Sequence, residues 1–117
     1  MRVISQDGTI DIPYELSAVT IGRKVDLNKF NINIRSKLLD ERPCIVATYS
    51  TEAKAIKAME MLREQYGKLE VMKVLASGTA EYMEKALATD EMIKHYNTYC
   101  DMNVFQFPQD DEIEVRV

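Results

Sequence analysis

The sequence contains no tryptophan, a single histidine, His95, and no long run of apolar residues. A membrane-spanning helix needs about 20 consecutive, mostly apolar residues, and no charged start followed by an apolar block indicates a signal peptide. His95 has no partner at the spacing of a metal-ligand pair or a catalytic triad. These absences argue against a membrane protein and against an enzyme, and they predict neither a cofactor nor a metal site.

Cysteine, glycine and proline are also scarce, with 2, 4 and 3 residues respectively. Cys44 lies in a predicted core strand and Cys100 near a predicted helix end, so free thiols are favoured over a disulfide and a reducing, cytoplasmic setting is expected. No linker, repeat or low-complexity segment interrupts the chain. Its 117 residues predict one domain over 1–117.

The formal net charge of −4 argues against a general nucleic-acid-binding protein, because attraction to phosphate dominates that class of affinity. The charge is uneven: residues 23–42 hold six basic and three acidic side chains, whereas the last 17 residues hold five acidic ones and Arg116. The basic segment is either a local binding surface or a set of solvated loops and strand edges. The acidic run Asp110–Glu112 is either a divalent-ion site or ordinary solvated chain.

The clearest local pattern runs from Cys44 to Gly67, where an apolar strand leads into an amphipathic helix over 51–66. Ser50 or Thr51 is the expected N-cap, and Gly67 is the expected left-handed residue that ends the helix. At about 100° per residue, one face collects the apolar side chains Ala55, Ile56, Ala58, Met59, Leu62 and Tyr66. The strand over 44–49 has apolar residues on both faces, so both faces should be covered.

The N-terminus predicts a β-hairpin. Asp7-Gly8 tolerates positive φ at both positions of a two-residue turn, which would pair Val3 with Ile12 and Ser5 with Ile10. The shared core face would then hold Val3, Ile10, Ile12 and Tyr14. Pro13 cannot donate a ladder hydrogen bond, so its strand should lie at a sheet edge or near its own end.

Further strands are indicated by alternating residues around Val19 and Ile21 and from Phe30 to Ile34. In one regular strand, Val25 and Leu27 would point to the face opposite to that of Phe30, because they have odd numbers and Phe30 has an even one. A turn or bulge is therefore expected near Asn28-Lys29.

The second half of the chain is less distinct. Leu69–Leu75 fits a strand or a helix equally well and is taken as a strand, while 79–88 and 90–100 have helical spacing with a break and cap at Thr89-Asp90. Ala76-Ser77-Gly78-Thr79 either offers backbone N–H groups to a phosphate or is an ordinary helix-entry turn. A strand is expected over 104–107, and the tail over 113–117 alternates like a strand that orders against a partner.

The predicted class is therefore α+β: an antiparallel sheet, a meander starting with the N-terminal hairpin, packed on an amphipathic helix, with further short helices and a C-terminal strand.

Three blocks of the sequence resemble a family of small proteins found in phages and prophages of Gram-positive bacteria. They are residues 1–15 (MRVISQDGTIDIPYE), residues 47–55 (ATYSTEAKA) leading into 59–63 (MEMLR), and residues 105–110 (FQFPQD). The resemblance implies a genetic setting rather than an activity. The strand-then-helix order is also similar to Tad-type phage proteins, which capture cyclic ADP-ribose immune signals without cleaving them.

Two functions are therefore expected as alternatives. The first is a non-enzymatic counter-defence sponge for a small anionic nucleotide, with Arg23, Lys24 and Arg35 for the phosphates and Phe105 or Tyr49 stacking on the base. The second is an acidic inhibitor or adaptor that docks on a host or phage protein through its C-terminal acidic stretch or through Met61. Self-association as a symmetric dimer, or a multiple of one, is expected because the strand over 44–49 has two apolar faces.

Overall fold

A computed structural model describes residues 1–24, 29–36 and 42–115. It confirms the predicted α+β class, with an antiparallel sheet packed on the long first helix. The described elements are, in chain order, β1 (Arg2–Ile4), β2 (Asp11–Pro13), β3 (Ser17–Lys24), β4 (Lys29–Ser36), β5 (Cys44–Tyr49), α1 (Glu52–Leu75), α2 (Thr79–Glu84), α3 (Asp90–Met102) and β6 (Val104–Gln106). The turn or bulge expected around Asn28 lies outside the described residues.

The chain divides into two compact units. Unit 1 comprises Met1–Leu62 and the chain from Val104 onward, and unit 2 comprises Arg63–Asn103. The boundary falls inside α1, after Leu62. Both sheets belong to unit 1, so the strands and the contacts of the C-terminal segment are treated there.

The N-terminal hairpin has the predicted register but a different turn. Val3 pairs with Ile12, and the Ser5 N–H donates to the Ile10 carbonyl at 2.8 Å. Residues 6–9 form a four-residue loop in which Gly8 alone has a positive φ, of 78°, so the predicted two-residue turn is wrong. The Asp7 carboxylate replaces the missing turn bonds by accepting from the Ser5 hydroxyl, the Thr9 hydroxyl and the Thr9 N–H. These bonds, led by that from Ser5, lower the pKa of Asp7 to about 2.

The hairpin belongs to a sheet of its own. The strand order is β2-β1-β6, with β1 antiparallel to β2 and parallel to β6. As expected, Pro13 lies at the end of an edge strand. The chain then forms a 3-10 turn over Tyr14–Leu16, which separates β2 from β3, so the predicted continuous meander is two sheets. The buried side chains Val3, Phe105, Phe107 and Ile113 belong to the core of unit 1.

The second sheet is an antiparallel meander in the order β3-β4-β5. Its ladder is irregular because Ile32 pairs with Ala47 while Asn33 pairs with Ile45, leaving Val46 as an extra residue. This bulge lets the consecutive residues Val46 and Ala47 both be buried. The expected cover on both faces of β5 fails at its start, where Ile45 is 46% exposed and Cys44, predicted to lie in the core, is an exposed free thiol.

Helix α1 begins where the sequence indicates. The Thr51 hydroxyl accepts a hydrogen bond from the Lys54 N–H at 3.2 Å, so Thr51 is the N-cap. Ala55, Ala58 and Leu62 are buried against the sheet, which confirms the core of the predicted face. Ile56, placed on that face by the periodicity, is 42% exposed instead, because it sits at the margin of the apolar arc.

The helix does not end where the sequence indicates. Gly67 lies inside α1 rather than capping it, and Leu69–Leu75, taken as a strand, continues the helix. A single glycine in a helix costs only about 1 kcal/mol relative to alanine, and the following residues are good helix formers. The left-handed glycine that follows α1 is Gly78, with φ of 77°.

Both helices predicted for the second half of the chain are present in unit 2, but the first of them is shorter than predicted. Helix α2 ends at Glu84, before the predicted Ala88, and Ala86 has φ of 55°. The Thr89 hydroxyl accepts from the Met92 N–H at 3.2 Å and so confirms the predicted cap of α3. The Gln65 side chain donates to the Met102 carbonyl at 2.9 Å.

The C-terminal tail is not a strand over its described part. A 3-10 turn spans Asp110–Glu112, closed by the Glu112 carboxylate, which accepts from the Gln109 N–H at 2.9 Å. Ile113 is buried and the next two residues are exposed. The alternating apolar residues therefore provide one anchor rather than a strand.

Candidate binding groove

Within unit 1, the side chain of Gln6 connects the C-terminal segment, residues 107–115, to strand β5. Its amide oxygen accepts from the Thr48 N–H at 3.0 Å, while its amide nitrogen donates to the Thr48 carbonyl at 3.3 Å and to the Pro108 carbonyl at 3.1 Å. The Gln6 backbone N–H also donates to the Val46 carbonyl at 2.7 Å. Gln6 therefore does for the outer edge of β5 what a neighbouring strand would do.

Asp110 fastens the same segment to the start of α1. Its carboxylate accepts from the Ser50 N–H at 2.8 Å, from the Ser50 hydroxyl at 3.0 Å and from Lys54 Nζ at 3.2 Å. The Ser50 N–H first, followed by the Ser50 hydroxyl and Lys54, holds the pKa of Asp110 below its ordinary value. This negative charge lies beside the positive end of the helix dipole.

An open groove of about 490 Å³ lies between the first half of α1 and the C-terminal segment. It is lined by Ala53, Ile56, Lys57, Glu60, Glu114 and Val115. Three of these side chains are apolar, and the charged ones are two carboxylates and one ammonium. Within the described ranges, none of these three charged side chains forms an ion pair. The lining contributed by the described residues is thus amphipathic and holds one more carboxylate than ammonium.

A smaller cavity of about 110 Å³ lies beside the hairpin loop and β5. It is lined by Gln6, Asp7, Ile45, Val46, Ala47 and Thr48. The Asp7 carboxylate in its wall is already engaged by the hydroxyls of Ser5 and Thr9. This cavity has room for a few water molecules, which is too little for a nucleotide.

The basic residues of the predicted nucleotide site are spread along one sheet. Arg23 and Lys24 lie at the end of β3, opposite Phe30 and Lys29, whereas Arg35 lies near the other end of β4, opposite Ala18. Because Arg35 is five residues beyond Phe30 on β4, it is about 16 Å from the Arg23 row at the rise of a strand. One chain does not bring these three residues together.

The aromatic residues of that predicted site lie in the core. Tyr49 is 0% exposed and its hydroxyl donates to the Pro108 carbonyl at 2.7 Å. Burial, and then the charges of Asp110 and Glu112, raise the pKa of Tyr49 above its ordinary value. Phe105 is buried, and its ring meets that of Phe107 edge to face at 5.2 Å. Neither Tyr49 nor Phe105 presents a ring face to a base.

Two candidate sites from the sequence remain, the acidic run over 110–112 and the start of α2. In the acidic run, Asp110 binds Ser50 and Lys54, and Glu112 closes the 3-10 turn. Among the described residues, no group of three or more His, Cys, Asp or Glu side chains is arranged to hold a metal ion. At the start of α2, the buried Thr79 hydroxyl has no partner in the described parts of the chain, but this helix has only six residues.

Sequence reasoning missed two features of this region. Gln6 carries no local signal, because its partners Thr48 and Pro108 lie 42 and 102 residues away. The groove had a weak signal: Ile56 lies at the edge of the apolar arc of α1, next to Lys57 and one turn before Glu60.

Comparisons of the chain with protein-family models, with curated proteins and with solved structures give no match. Over the described ranges, none of the helices combines the length and apolarity that a membrane crossing requires.

Proposed function

We propose that this protein is a non-enzymatic interaction module that binds a segment of a partner protein in the groove beside α1. The observation that carries the proposal is the lining of the groove, where exposed Ile56 and Val115 lie next to the carboxylates of Glu60 and Glu114. The segment that fits this lining has one apolar side chain beside Ile56 and Val115, and one lysine or arginine near the two carboxylates. In the setting that the resemblance implies, such a module acts as an inhibitor or adaptor on a host or phage protein.

The charges of the groove favour a basic peptide over an anionic nucleotide. Among the described lining residues there are two carboxylates and one ammonium, so a phosphate would meet net repulsion from them while a basic side chain would gain charge-assisted hydrogen bonds. The nucleotide-binding role of Arg23, Lys24 and Arg35 stays a prediction, and it would require residues from more than one chain.

The walls of the groove are held in place before a partner arrives. Lys54, the neighbour of Ala53, bonds both the carboxylate and the carbonyl of Asp110, and buried Ile113 anchors the segment that carries Glu114. A preformed site avoids the entropic cost of ordering its own walls on binding. This supports recognition by the groove as it stands.

Selection from a random heptapeptide library displayed on phage tests the proposal. Peptides that pair a basic with an apolar side chain should be enriched on the wild-type protein. Their affinity, measured by fluorescence anisotropy, should fall about tenfold in Glu60→Lys, as for reversal of a charge pair, and should also fall in Ile56→Ser. Glu64→Lys, the same charge change further along α1, should bind like the wild type.

Two results would overturn the proposal. One is a selection without enrichment, or enriched peptides that bind wild type, Glu60→Lys and Ile56→Ser equally. The other is calorimetric binding of cyclic dinucleotides or ADP-ribose-type nucleotides that is lost in Arg35→Ala and unchanged in Glu60→Lys, which would favour the nucleotide sponge.

A further inference from the structure

The two edges of the β3-β4-β5 sheet differ in how their main-chain groups are satisfied. At β5, the bulge and the Gln6 amide occupy the outer edge. At β3, no hydrogen bond reaches the outer edge from Ala18 to Gly22 within the described parts of the chain. An eight-residue edge strand with unpaired N–H and C=O groups is a template for another extended strand.

The side chains at this edge also lack cover. Val19 and Ile21 pair with Ile34 and Ile32, which are buried in the core of unit 1. At the edge, Ile21 is 37% exposed. The apolar face of the sheet therefore continues past β4 to a margin that nothing in the described residues covers completely.

We propose that a second copy of this chain pairs antiparallel with the outer edge of β3, joining the two β3-β4-β5 sheets into one. An extended strand fits the outer edge of β3, because this edge offers main-chain hydrogen-bond donors and acceptors. A second copy is the strand because β3 complements itself: Ala18 to Gly22 is uncharged, and antiparallel pairing keeps the two Arg23-Lys24 ends apart.

The parity of the strand fixes the register. In an antiparallel pair, side chains that lie opposite each other point to the same face of the sheet. When the two strands are copies related by a two-fold axis normal to the sheet, this requires that the axis pass between the two copies of one residue, which then lie opposite each other. Centring on Thr20 sets Val19 opposite Ile21 twice and Thr20 opposite Thr20, which are favourable cross-strand pairs. Centring on Ile21 would set Val19 opposite Arg23, and centring on Val19 would set Ile21 opposite Ser17. Thr20, an exposed residue opposite Asn33 on β4, is therefore the centre.

Charge exchange at Thr20 tests this arrangement by light scattering coupled to size exclusion. At micromolar concentration the wild type should have twice the 13.4 kDa mass of one chain. Thr20→Lys and Thr20→Glu should each be monomeric, because like charges then lie directly opposite each other. An equimolar mixture of the two variants should be dimeric, since the opposite charges then pair.

The mixture keeps the test independent of folding, because a misfolded strand would not be restored by its charge-reversed partner. Asn97→Lys and Asn97→Glu on α3 change the net charge by the same amounts and should both remain dimeric. The proposal is overturned by a monomeric wild type, by a Thr20→Lys variant that stays dimeric, or by a mixture of the Thr20 variants that stays monomeric.

Discussion

Gly67→Ala is expected to stabilise the protein. Gly67 lies in the interior of α1 without a positive φ, and a Cβ placed on it meets no heavy atom within 4 Å apart from its chain neighbours and the backbone of its own helix. In an exposed helix interior, alanine is more favourable than glycine by about 0.5–1 kcal/mol, because it loses less backbone entropy. For a chain of this size, that gain corresponds to a rise of about 2–5 °C in the melting midpoint.

Gly78→Ala provides the matched control with the opposite sign. Gly78 has φ of 77°, a conformation that costs a residue with a Cβ about 1–2 kcal/mol. The same atom added at two glycines 11 positions apart should therefore raise stability at one position and lower it at the other. A general effect of added apolar surface would move both in the same direction.

Urea unfolding followed by far-ultraviolet circular dichroism, with calorimetry for the midpoint, measures both changes. A loss of stability in Gly67→Ala would contradict the reasoning. It would mean that Gly67 is a left-handed cap, as the sequence pattern indicates, and that α1 ends before Leu69.

Three further predictions concern the core of unit 1 and its C-terminal contacts. Leu62→Asp places a carboxylate where the side chain is 1% exposed and should cost several kcal/mol of unfolding free energy; a melting temperature equal to that of wild type would argue against the assigned face. Tyr49→Phe removes the hydroxyl that donates to the Pro108 carbonyl and should cost about 1 kcal/mol in urea unfolding, whereas no change would show that this bond contributes nothing. Asp110→Asn removes the charge that accepts from the Ser50 N–H and from Lys54 Nζ at a partly exposed site, and should cost about 1 kcal/mol near neutral pH. Because the folded-state pKa of Asp110 is depressed below its ordinary value of 3.8, the stabilisation is complete above that value and is lost as pH falls through the folded-state pKa. The stability difference between wild type and Asp110→Asn should therefore shrink in acid, and a difference that is the same across the acid range would contradict the role of the charge.

Local patterns predicted the elements whose signals are short-range. The Val3–Ile12 register, the Thr51 cap and the Thr89 cap each depend on residues within one turn or one hairpin. The buried side of α1 around Leu62 followed from periodicity, which reports packing whenever a helix has one wet face. These are the places where neighbouring residues determine the conformation.

Long-range contacts explain what the sequence could not reveal. The parallel pairing of β1 with β6 joins residues about a hundred positions apart, and no periodicity signals it. The bond from the Gln6 amide to the Pro108 carbonyl likewise joins residues 102 positions apart. The aromatic candidates Tyr49 and Phe105 were selected by chemistry alone, but their burial is decided by tertiary packing.

The parallel alignment of β1 with β6 has a consequence for the order in which this protein folds. Val3 pairs with Phe105, and all of unit 2 lies between them in the chain. On the ribosome, the N-terminal hairpin therefore keeps one edge open until more than a hundred residues have been synthesised, because β6 begins only at Val104, directly after unit 2. Closing so long a loop makes the late step slow, as expected for folds of high contact order. During that interval the open edge of β1 is, like the edge of β3, a place where another strand can pair with the nascent chain.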